Sequence, residues 1–351
     1  MRTSLESFFI QAWSKRGIVA GLLWPISKLF GLLLNFRFGL LVLGYRPQTQ
    51  LKVPVIIVGN IYIGGTGKTP MVIWLVEALR QAGWNPGVIS RGYGAHVERI
   101  QEVGEDSLAV EVGDEPLLIV QRTGCAMTVG RNRVASAQQL LAQHPTIDVI
   151  ISDDGLQHYA LGRDIEILMF DQRGVGNGWL LPAGPLREPS SRRRDFTILN
   201  SAKPEQLTGL GTDLGTDVFS MRLQMTELIS LSQPALRQPL STVRDKKILA
   251  AAGIGNPQRF FTMLSSQELI FKAMPLPDHF AFSAQLFQQE DAEIILITEK
   301  DAVKCRQIAG LCDDPRIWVV PVAAELDAEF TNQLFQLLKL TSEKKHGCSS
   351  T

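Results

Sequence analysis

The chain has 351 residues, enough for two domains with substantial hydrophobic cores. Its 35 lysines and arginines balance its 35 aspartates and glutamates, so the formal net charge is zero and no global field attracts nucleic acid. The four cysteines contain no C-x-x-C pair and no metal-ligand spacing, which is typical of a protein of the reducing cytosol.

Residues 1–46 form the first predicted element, a membrane-associated helical segment. Six basic residues stand there against one acidic residue, and residues 17–43 are strongly apolar. Apolar residues recur within this stretch at three- and four-residue steps, the pattern of a helix with one apolar stripe. Pro25 and Lys28 near its middle favour a basic amphipathic helix in the interface of the cytoplasmic leaflet. A single membrane span and a helix packed on the protein's own core are the alternatives.

A strand, a glycine-rich turn and a helix come next. The β-branched residues 53–58 predict a buried strand, and the turn after it leads into an apolar pattern with helical spacing. This arrangement indicates the phosphate-binding loop of nucleoside triphosphatases, in which backbone N–H groups and a helix N-terminus surround phosphate oxygens. Lys68 would reach the β- and γ-phosphates, and Thr69 would hold Mg²⁺. Tyr62 stands where the strict pattern has glycine, and a glycine turn with an incidental lysine is the alternative. The candidate nucleotide-binding residues are Gly64, Gly65, Thr66, Gly67, Lys68 and Thr69.

Strands and helices alternate along the rest of the chain. This order predicts an α/β fold, a doubly wound P-loop NTPase domain with a second, smaller α/β domain. We place the P-loop core at residues 47–225 and the second lobe at residues 246–341. Residues 226–245, which contain Ser, Gln and Pro, are predicted to be a connector and hinge, and the polar residues 342–351 a disordered tail.

Two adjacent aspartates end a second apolar strand. Asp153 and Asp154 follow the run at residues 146–152. In P-loop enzymes an acidic residue at the end of a neighbouring strand holds Mg²⁺ directly or through water. Both aspartates are therefore candidate metal ligands together with Thr69. The alternative is a plain turn, for which Asp-Gly is common.

Several motifs together resemble the tetraacyldisaccharide 4′-kinases of lipid A assembly. They occur in the order of that family and extend from the N-terminal apolar segment to about Val320, which is nearly the whole chain. As a set they are specific, although the phosphate-binding loop alone is common to many enzymes. The matching segments are Val58-Gly59-Asn60, residues 64–70, Ser90-Arg91-Gly92-Tyr93-Gly94, Gly113-Asp114-Glu115-Pro116, Asp153-Asp154-Gly155-Leu156-Gln157-His158, residues 182–188 and Thr298-Glu299-Lys300-Asp301.

The resemblance implies an enzyme that transfers the γ-phosphoryl group of ATP, with Mg²⁺, to the 4′-hydroxyl of a tetraacylated glucosamine disaccharide 1-phosphate. The product would be a bis-phosphorylated lipid A precursor, made at the cytoplasmic face of the inner membrane of a Gram-negative bacterium. The implied partners are the lipid substrate and the membrane surface, reached through the N-terminal helix. No nucleic acid is expected, and no protein partner is inferred. The residues alone predict a Mg²⁺-dependent P-loop phosphotransferase or NTPase at a membrane surface.

The resemblance also implies roles in catalysis. Asp114 in Gly-Asp-Glu-Pro is the candidate base for the acceptor hydroxyl, and His279 in Asp-His-Phe would orient it or relay its proton. Arg187 would neutralise charge on the transferred phosphoryl group or bind the 1-phosphate of the acceptor. Gln157 would help to position nucleotide or water, and Arg131 is a weaker candidate for a phosphate contact. The alternatives are a helix cap for Asp114, a loop histidine for His279 and a surface ion pair for Arg187.

Two other classes of protein remain open. The first is a P-loop GTPase or ATPase switch without a small-molecule acceptor. Residues 298–301, Thr-Glu-Lys-Asp, faintly resemble the guanine-reading Asn-Lys-x-Asp, but the lysine stands one position late. The second is a membrane-bound scaffold that keeps the fold without catalysis. The intact Lys68, Thr69, Asp153 and Asp154 argue against a scaffold.

Overall fold

The structure, a computed structural model, describes residues 9, 12–45, 47–93, 99–201 and 218–347. Residues 1–8 of the predicted membrane segment, Gly94 of the Ser-Arg-Gly-Tyr-Gly motif and residues 348–351 of the predicted tail lie outside the described residues. The helices are α1 Ile18–Val42, α2 Lys68–Gln81, α3 Ala109–Val112, α4 Asp114–Thr123, α5 Arg133–Gln143, α6 Pro257–Ser266, α7 Glu299–Cys305 and α8 Ala328–Gly347. The strands are β1 Val55–Gly59, β2 Pro86–Ser90, β3 Gln101–Glu102, β4 Met127–Val129, β5 Val149–Asp153, β6 Ile165–Asp171, β7 Phe196–Asn200, β8 Val218–Met225, β9 Leu228–Ser230, β10 Arg237–Gln238, β11 Ile248–Ala252, β12 Phe271–Pro275, β13 Ile294–Thr298, β14 Ile317–Val320 and β15 Val322–Leu326.

The larger sheet has the order β15-β8-β7-β6-β1-β5-β2-β4-β3 in the part of the chain that the structure describes. Its seven inner strands are parallel, and only the edge strands β15 and β3 are antiparallel to their neighbours. Strand β1 is buried along its whole length, because alternate residues pack into separate cores on the two faces of the sheet. The predicted α/β fold with a parallel sheet is confirmed.

The register of the central strands sets up the candidate site. Strands β1 and β5 are direct neighbours, and Val58 pairs with Asp153. The turn after β1 and the two aspartates at the end of β5 therefore lie at the same edge of the sheet, since carboxyl ends of parallel strands coincide.

A second, smaller sheet follows in the chain. Its order is β10-β9-β14-β13-β11-β12, with parallel strands from β14 to β12 and antiparallel pairing of β9 and β10 at the other edge. It has its own cores on both faces, one of which includes Phe260, Phe261 and Leu264 of α6. We call this part the second lobe and the part built on the larger sheet the first lobe.

The boundaries between the lobes differ from those expected from the sequence. Residues 226–245 contain β9, β10 and a short 3₁₀ helix, so they belong to the second sheet instead of forming a loose connector. The chain also returns to the first lobe, where β15 pairs with β8 and Phe330 of α8 packs against Trp74. Apolar side chains at helical spacing hold α8 on that core, and the helix extends to Gly347, well beyond the predicted start of the tail at residue 342.

Helix α1 is attached to the first lobe along one side only. The Ser27 hydroxyl donates to the carbonyl oxygen of Leu180 at 2.8 Å, and the tilted rings of Trp24 and Trp179 have their centres 6.4 Å apart. Most of the predicted apolar stripe faces away from the protein. Seven of its members are 55–85% exposed, and Leu40 is half-buried; the seven are Ile18, Leu22, Ile26, Leu29, Leu33, Phe36 and Leu43. The alternative of a helix buried on the protein's own core is therefore wrong. The helical segment Ile18–Leu41 is long and apolar enough to cross a membrane.

Candidate active site

The glycine-rich turn joins β1 to α2 in a fixed shape. Gly67, directly before α2, has a φ of +91°, and a side chain there would overlap the amide of Asn200, so only glycine suits this position. The side chain of Asn60 ties the turn together by donating to the carbonyl oxygens of Tyr62 at 2.8 Å and Gly64 at 3.0 Å. The turn thus lies at the N-terminus of a helix, where backbone N–H groups attract anions.

Tyr62, which departs from the strict loop pattern, stabilises the turn through Arg173. Its side chain is buried, and the guanidinium of Arg173 lies 4.4 Å from the centre of its ring. Arg173 also donates to the carbonyl oxygen of Gly65 at 2.8 Å and pairs with Asp171 at 2.7 Å. The aromatic ring therefore anchors an arginine that braces the turn. Nothing in the sequence indicated a role for Arg173, because no local spacing connects it with a loop more than a hundred residues away.

Three charged side chains meet at the start of α2. Lys68 Nζ donates to Asn60 Oδ1 at 3.1 Å and lies 3.6 Å from Asp154 Oδ1. Arg187 Nη2 lies 3.5 Å from the same carboxylate oxygen and donates to the carbonyl oxygen of Asn60 at 2.9 Å. Burial by itself would raise the pKa of Asp154, but the charges of Lys68 and Arg187 outweigh it and hold that pKa below its usual value. Arg187 is therefore part of this group and not of a separate surface ion pair.

Asp153 lies deeper, next to β1. Its Oδ2 accepts a hydrogen bond from the Ser90 hydroxyl at 3.1 Å, whereas its Oδ1 and the Oδ1 of Asp154 are buried without a hydrogen-bond partner. Burial raises the pKa of Asp153 well above its usual range; the nearby Glu115 adds to this and Lys68 opposes it. Asp153 Oδ1 is buried without a donor, and Asp154 Oδ1 has only the longer contacts with Lys68 and Arg187, so a divalent cation would satisfy both oxygens.

The residues present fit a Mg²⁺ ion that shares its coordination with a nucleotide. Within the described ranges there is no group of three or more His, Cys, Asp or Glu that could hold a metal by itself. Mg²⁺ is typically bound through one or two carboxylates, with phosphate and water oxygens completing the shell. Thr69, the second residue of α2, would supply a hydroxyl oxygen from the turn.

Asp114 and His279 meet across the two lobes. Asp114 begins α4 in the first lobe, directly after Gly113, whereas His279 lies in the loop after β12 of the second lobe and has a φ of +56°. His279 Nδ1 and Asp114 Oδ2 are 3.0 Å apart. The other carboxylate oxygen of Asp114 accepts from the N–H of the next residue, Glu115, at 3.0 Å. The N-cap of α4 is Gly113, which makes no side-chain capping bond, so the helix-cap alternative for Asp114 is wrong, whereas the two members of the predicted pair do meet.

Two lysines of α7 complete the surroundings of Asp114. Lys300 Nζ lies 3.9 Å and Lys304 Nζ 3.8 Å from Asp114 Oδ2, and Lys300 also contacts Glu115 at 2.9 Å. Burial would raise the pKa of Asp114, but the hydrogen bond with His279 and the charges of both lysines lower it overall. The hydrogen bond to Asp114 raises the pKa of His279, against burial and the charge of Lys300. The carboxylate is thus held ionised, and the imidazole is made more basic than usual.

The Thr-Glu-Lys-Asp motif stabilises the contact between the lobes. Thr298 caps α7, and its hydroxyl donates to Asp301 Oδ2 at 2.7 Å. The same oxygen of Asp301, which is completely buried, accepts from the N–H of Gly253 at 2.9 Å. Glu299 pairs with Arg122 of α4. Because Asp301 is engaged inside the protein, this motif does not have the exposed carboxylate that reading a guanine base requires.

Comparisons with known proteins agree with the motifs. The family model for tetraacyldisaccharide-1-P 4′-kinase, LpxK, matches residues 19–339. The chain belongs to this family. Two relatives named tetraacyldisaccharide 4′-kinase, from Herminiimonas arsenicoxydans and Janthinobacterium sp. (strain Marseille), are 54% and 53% identical to it over 96% of this chain and 97% of their own lengths. A crystal structure of an "apo" form of LpxK from Aquifex aeolicus in complex with ATP, at 2.2 Å resolution, has a TM-score of 0.76 and 27% identity, and it covers 92% of this chain and 100% of that one.

Two predicted residues of this LpxK-family protein line a cavity at the other side of the segment that follows Asp154. Gln157 and Arg131 line it, whereas Lys68 and Arg187 do not. The backbone oxygen of Gln157 accepts from Arg37 of α1 at 3.4 Å, and its side-chain nitrogen is buried without a hydrogen-bond partner.

Two basic side chains of the second lobe, Lys300 and Arg259, lie close to the site although the sequence predicted no role for them. Lys300 stands inside a quoted motif, so the motif signalled its importance but not its role. Nothing in the sequence indicated a role for Arg259 of α6. It bonds to Asn200, whose side chain donates to the carbonyl oxygen of Thr66 in the turn at 2.9 Å. The second lobe thus reaches the glycine-rich turn through an arginine and an asparagine.

Proposed function

We propose that this protein transfers the γ-phosphoryl group of ATP to the 4′-hydroxyl of a tetraacylated glucosamine disaccharide 1-phosphate. One observation carries the proposal: the glycine-rich turn lies close to Asp278, whose Oδ2 is 3.8 Å from His279 Nε2. A Cβ atom built on Gly255 would lie 3.5 Å from the backbone nitrogen of Gly65 and 3.2 Å from Asp278 Oδ2, next to His279. A phosphate held by the turn and a hydroxyl held at the pair would therefore be within reach of each other.

The turn would bind the phosphates of ATP. Its backbone N–H groups at the start of α2 and the ammonium of Lys68 would surround the β- and γ-phosphates. Arg187 would neutralise the charge that develops on the transferred group, because its guanidinium is already placed beside Lys68 and Asp154.

Asp153, Asp154 and Thr69 would hold the Mg²⁺ ion that accompanies ATP. When bound, Mg²⁺ supplies charge neutralisation to phosphate oxygens. The residues of this chain have a separate task, which is to keep one carboxylate oxygen of Asp153 buried without a hydrogen-bond partner and to hold Asp154 beside Lys68 and Arg187. Lys68 and Arg187 keep Asp154 ionised for that purpose.

His279 and Asp114 would remove the proton of the acceptor hydroxyl together. Asp114 is 3% exposed and its pKa is lowered, so it is a weak proton acceptor that is hard to reach. His279 is 24% exposed and its pKa is raised, which suits a base that works near neutral pH. The imidazole would take the proton at Nε2, while Asp114 holds Nδ1 and stabilises the imidazolium that results.

Helix α1 would bring the site to its lipid substrate. Its exposed apolar stripe is the surface that a membrane interface would cover, and Lys28 and Arg37 are exposed on the same helix. Cytoplasmic leaflets carry anionic lipids that attract such basic residues. We place the protein at the cytoplasmic face of the inner membrane of a Gram-negative bacterium.

Transfer of labelled γ-phosphate tests the proposal. The assay supplies ATP with Mg²⁺ and the tetraacyl disaccharide 1-phosphate in mixed micelles, and Lys68→Ala is the control. Labelled lipid made by the parent protein alone is the expected result. Hydrolysis of ATP or GTP without labelled lipid, from folded protein with intact acceptor, would refute the kinase and favour a nucleotide switch.

A further inference from the structure

Four charged side chains are buried together in the first lobe. Two of them are arginines and two are glutamates, so their charges balance: Arg163, Glu166, Glu188 and Arg192. We call these four residues the buried network. Each of its side chains is only 6–11% exposed, so water and salt screen the attraction between them weakly.

Glu166 is the centre of the buried network. It lies in β6, opposite Ile57 of β1, and its Oε1 accepts from Arg163 at 2.8 Å and from Arg192 at 2.7 Å. Its backbone N–H donates to Asp195 Oδ2 at 2.8 Å, which fixes the strand at this point. The network is therefore attached to a strand that pairs directly with the strand before the glycine-rich turn.

Arg163 connects Glu166 with the segment that follows Asp154. Its guanidinium donates to the carbonyl oxygens of Leu156 at 2.9 Å and His158 at 2.8 Å. Asp154 has a φ of +49°, a left-handed conformation that costs free energy in a residue other than glycine and persists only where the surroundings fix it. Because Arg163 holds the next turn of the chain, it helps to keep the carboxylate of Asp154 in place.

Arg192 connects Glu166 with the segment that carries Arg187. Its Nη1 lies 3.1 Å from Glu188 Oε2, and Glu188 follows Arg187 directly in the chain. The same carboxylate oxygen accepts from the hydroxyl of Tyr159 at 2.8 Å. Burial and the charge of Glu188 raise the pKa of Tyr159, so the hydroxyl stays protonated and remains a donor. Glu188 thus joins the chain next to Arg187 to the segment after β5.

Stability alone does not explain why these charges are buried. Taking charged groups out of water is costly, and well-packed apolar side chains of similar size are often as stabilising as a buried ion pair. A planar guanidinium adds direction, because it donates from separate nitrogens at fixed angles. Arg192 uses Nη2 for Glu166 and Nη1 for Glu188, so it sets the distance between β6 and the segment that carries Arg187.

We propose that the buried network positions Asp154 and Arg187 for phosphoryl transfer, with Arg192 as a positioning residue that acts through Glu188. This inference rests on the proposed function, since that function gives Arg187 its task at the transferred phosphoryl group. Arg187 Nη2 lies 3.5 Å from Asp154 Oδ1 and donates to the carbonyl oxygen of Asn60 at 2.9 Å. A small displacement of the chain at Glu188 would weaken both contacts.

Nucleotide binding tests the inference without the acceptor lipid. The dissociation constants of ATP and ADP, each with Mg²⁺, are measured by calorimetric titration. The main variant combines Arg192→Met with Glu188→Gln, so one positive and one negative charge disappear together while Arg163 stays paired with Glu166. Arg192→Lys is the conservative variant, which keeps the charge but lacks the planar fork. Thermal unfolding shows that each variant is folded at the temperature of the titration.

The preference for ATP over ADP is the quantity that reports on Arg187. We expect Arg187→Ala to lose about ten-fold of that preference, the effect of one charge-assisted hydrogen bond to the additional phosphate. The main variant should lose about three-fold, because a displaced guanidinium keeps part of its attraction for phosphate, and Arg192→Lys should lose less. In the Arg187→Ala background the main variant should cause no further loss, because it acts through Arg187. The control, Arg244→Met with Glu268→Gln, removes an exposed ion pair of the second lobe and should keep the whole preference.

Two results would overturn the inference. Equal weakening of ATP and ADP in the main variant, or none of either, would show that the network has no specific effect on Arg187. A full further loss in the Arg187→Ala background would show that the two effects are independent. Transfer of labelled phosphate to lipid is measured separately with the same proteins. If the parent labels no lipid, the kinase is refuted, whereas coupling between Arg192 and Arg187 in ATP binding would still support the positioning; labelled lipid without that coupling would refute the positioning alone.

Discussion

The substitution Asp114→Asn separates the charge of the catalytic pair from its shape. Asparagine has nearly the same size as aspartate, and its amide oxygen can still accept a hydrogen bond from His279 Nδ1. What disappears is the negative charge, which in the structure faces His279 at 3.0 Å, Lys304 at 3.8 Å and Lys300 at 3.9 Å. The side chain of Asp114 is 3% exposed, so solvent cannot replace the lost charge.

The size of the effect follows from what remains. General acid–base catalysis contributes about 10²–10⁴-fold, or about 3–5 kcal/mol of barrier. His279 is still present and can still accept a proton in the variant, but its pKa falls because the hydrogen bond to Asp114 is the largest cause of its raised value. We therefore expect turnover to fall by about 10²-fold, the lower end of that range. Each lysine keeps another carboxylate, Glu115 or Asp301, so folding should survive.

Steady-state kinetics as a function of pH test this reasoning. We expect kcat to fall by about 10²-fold while KM for ATP stays within about two-fold, because the pair is not part of the nucleotide turn. The rate of the parent should rise as pH passes the elevated pKa of His279, and this acid limb should move to lower pH in Asp114→Asn. Turnover within a few-fold of the parent would show that Asp114 has no part in the chemistry. An acid limb that moves to higher pH would show that Asp114 lowers the pKa of His279 instead of raising it.

Three further predictions concern the second lobe and the membrane helix. Lys300→Met removes a charge that lowers the pKa of His279, so the acid limb of its rate should move to higher pH, measured in the same kinetic series. His279→Gln should lower the melting temperature most near pH 5 and least near pH 8, because a raised histidine pKa stabilises the fold below about 6.5 and that stability is lost as pH rises through the folded-state value; an equal loss at both pH values would contradict this. Leu29→Glu with Leu33→Glu should shift the protein from the membrane to the soluble fraction, since both side chains are more than half exposed; unchanged sedimentation would place the membrane contact elsewhere.

The residues of the site that stand at or shortly after the end of one strand were predictable from the sequence. Gly67 and Lys68 lie at the end of the turn that follows one apolar run, and Asp153 and Asp154 stand at the end of another. Neighbouring parallel strands bring such residues to one edge by geometry alone. The family resemblance added Asp114 and His279, which are 165 positions apart and come from different lobes. No local pattern connects them, because their contact depends on how two folded lobes pack.

The other contacts that the sequence did not predict also depend on how separate elements pack together. The sequence around Lys300 and Lys304 does not indicate a contact with Asp114. Both lysines reach it only because α7 packs against α4. The return of the chain through β15 was not expected, because a short strand such as Val322–Leu326 shows nothing in its own sequence that decides which of two sheets it joins. Arg131 lines a cavity together with Arg37 of α1, and nothing in the sequence around residue 131 shows that this helix lies beside it.

Within the described residues the chain crosses between the lobes twice, and these crossings limit how the Asp114–His279 pair can be assembled. The chain enters the second lobe at residues 226–227, between β8 and β9, and leaves it at Pro321, between β14 and β15. Two short connections allow a hinge rotation but oppose free separation, and α4 and α7 are the surfaces that such a rotation would bring together. That contact carries Lys300 with Glu115 and the packing of Val303 into the core of the first lobe. Because His279 belongs to one lobe and Asp114 to the other, the basic imidazole exists only while this contact is formed. The same contact that orders the lobes would thus restrict proton removal to the assembled site.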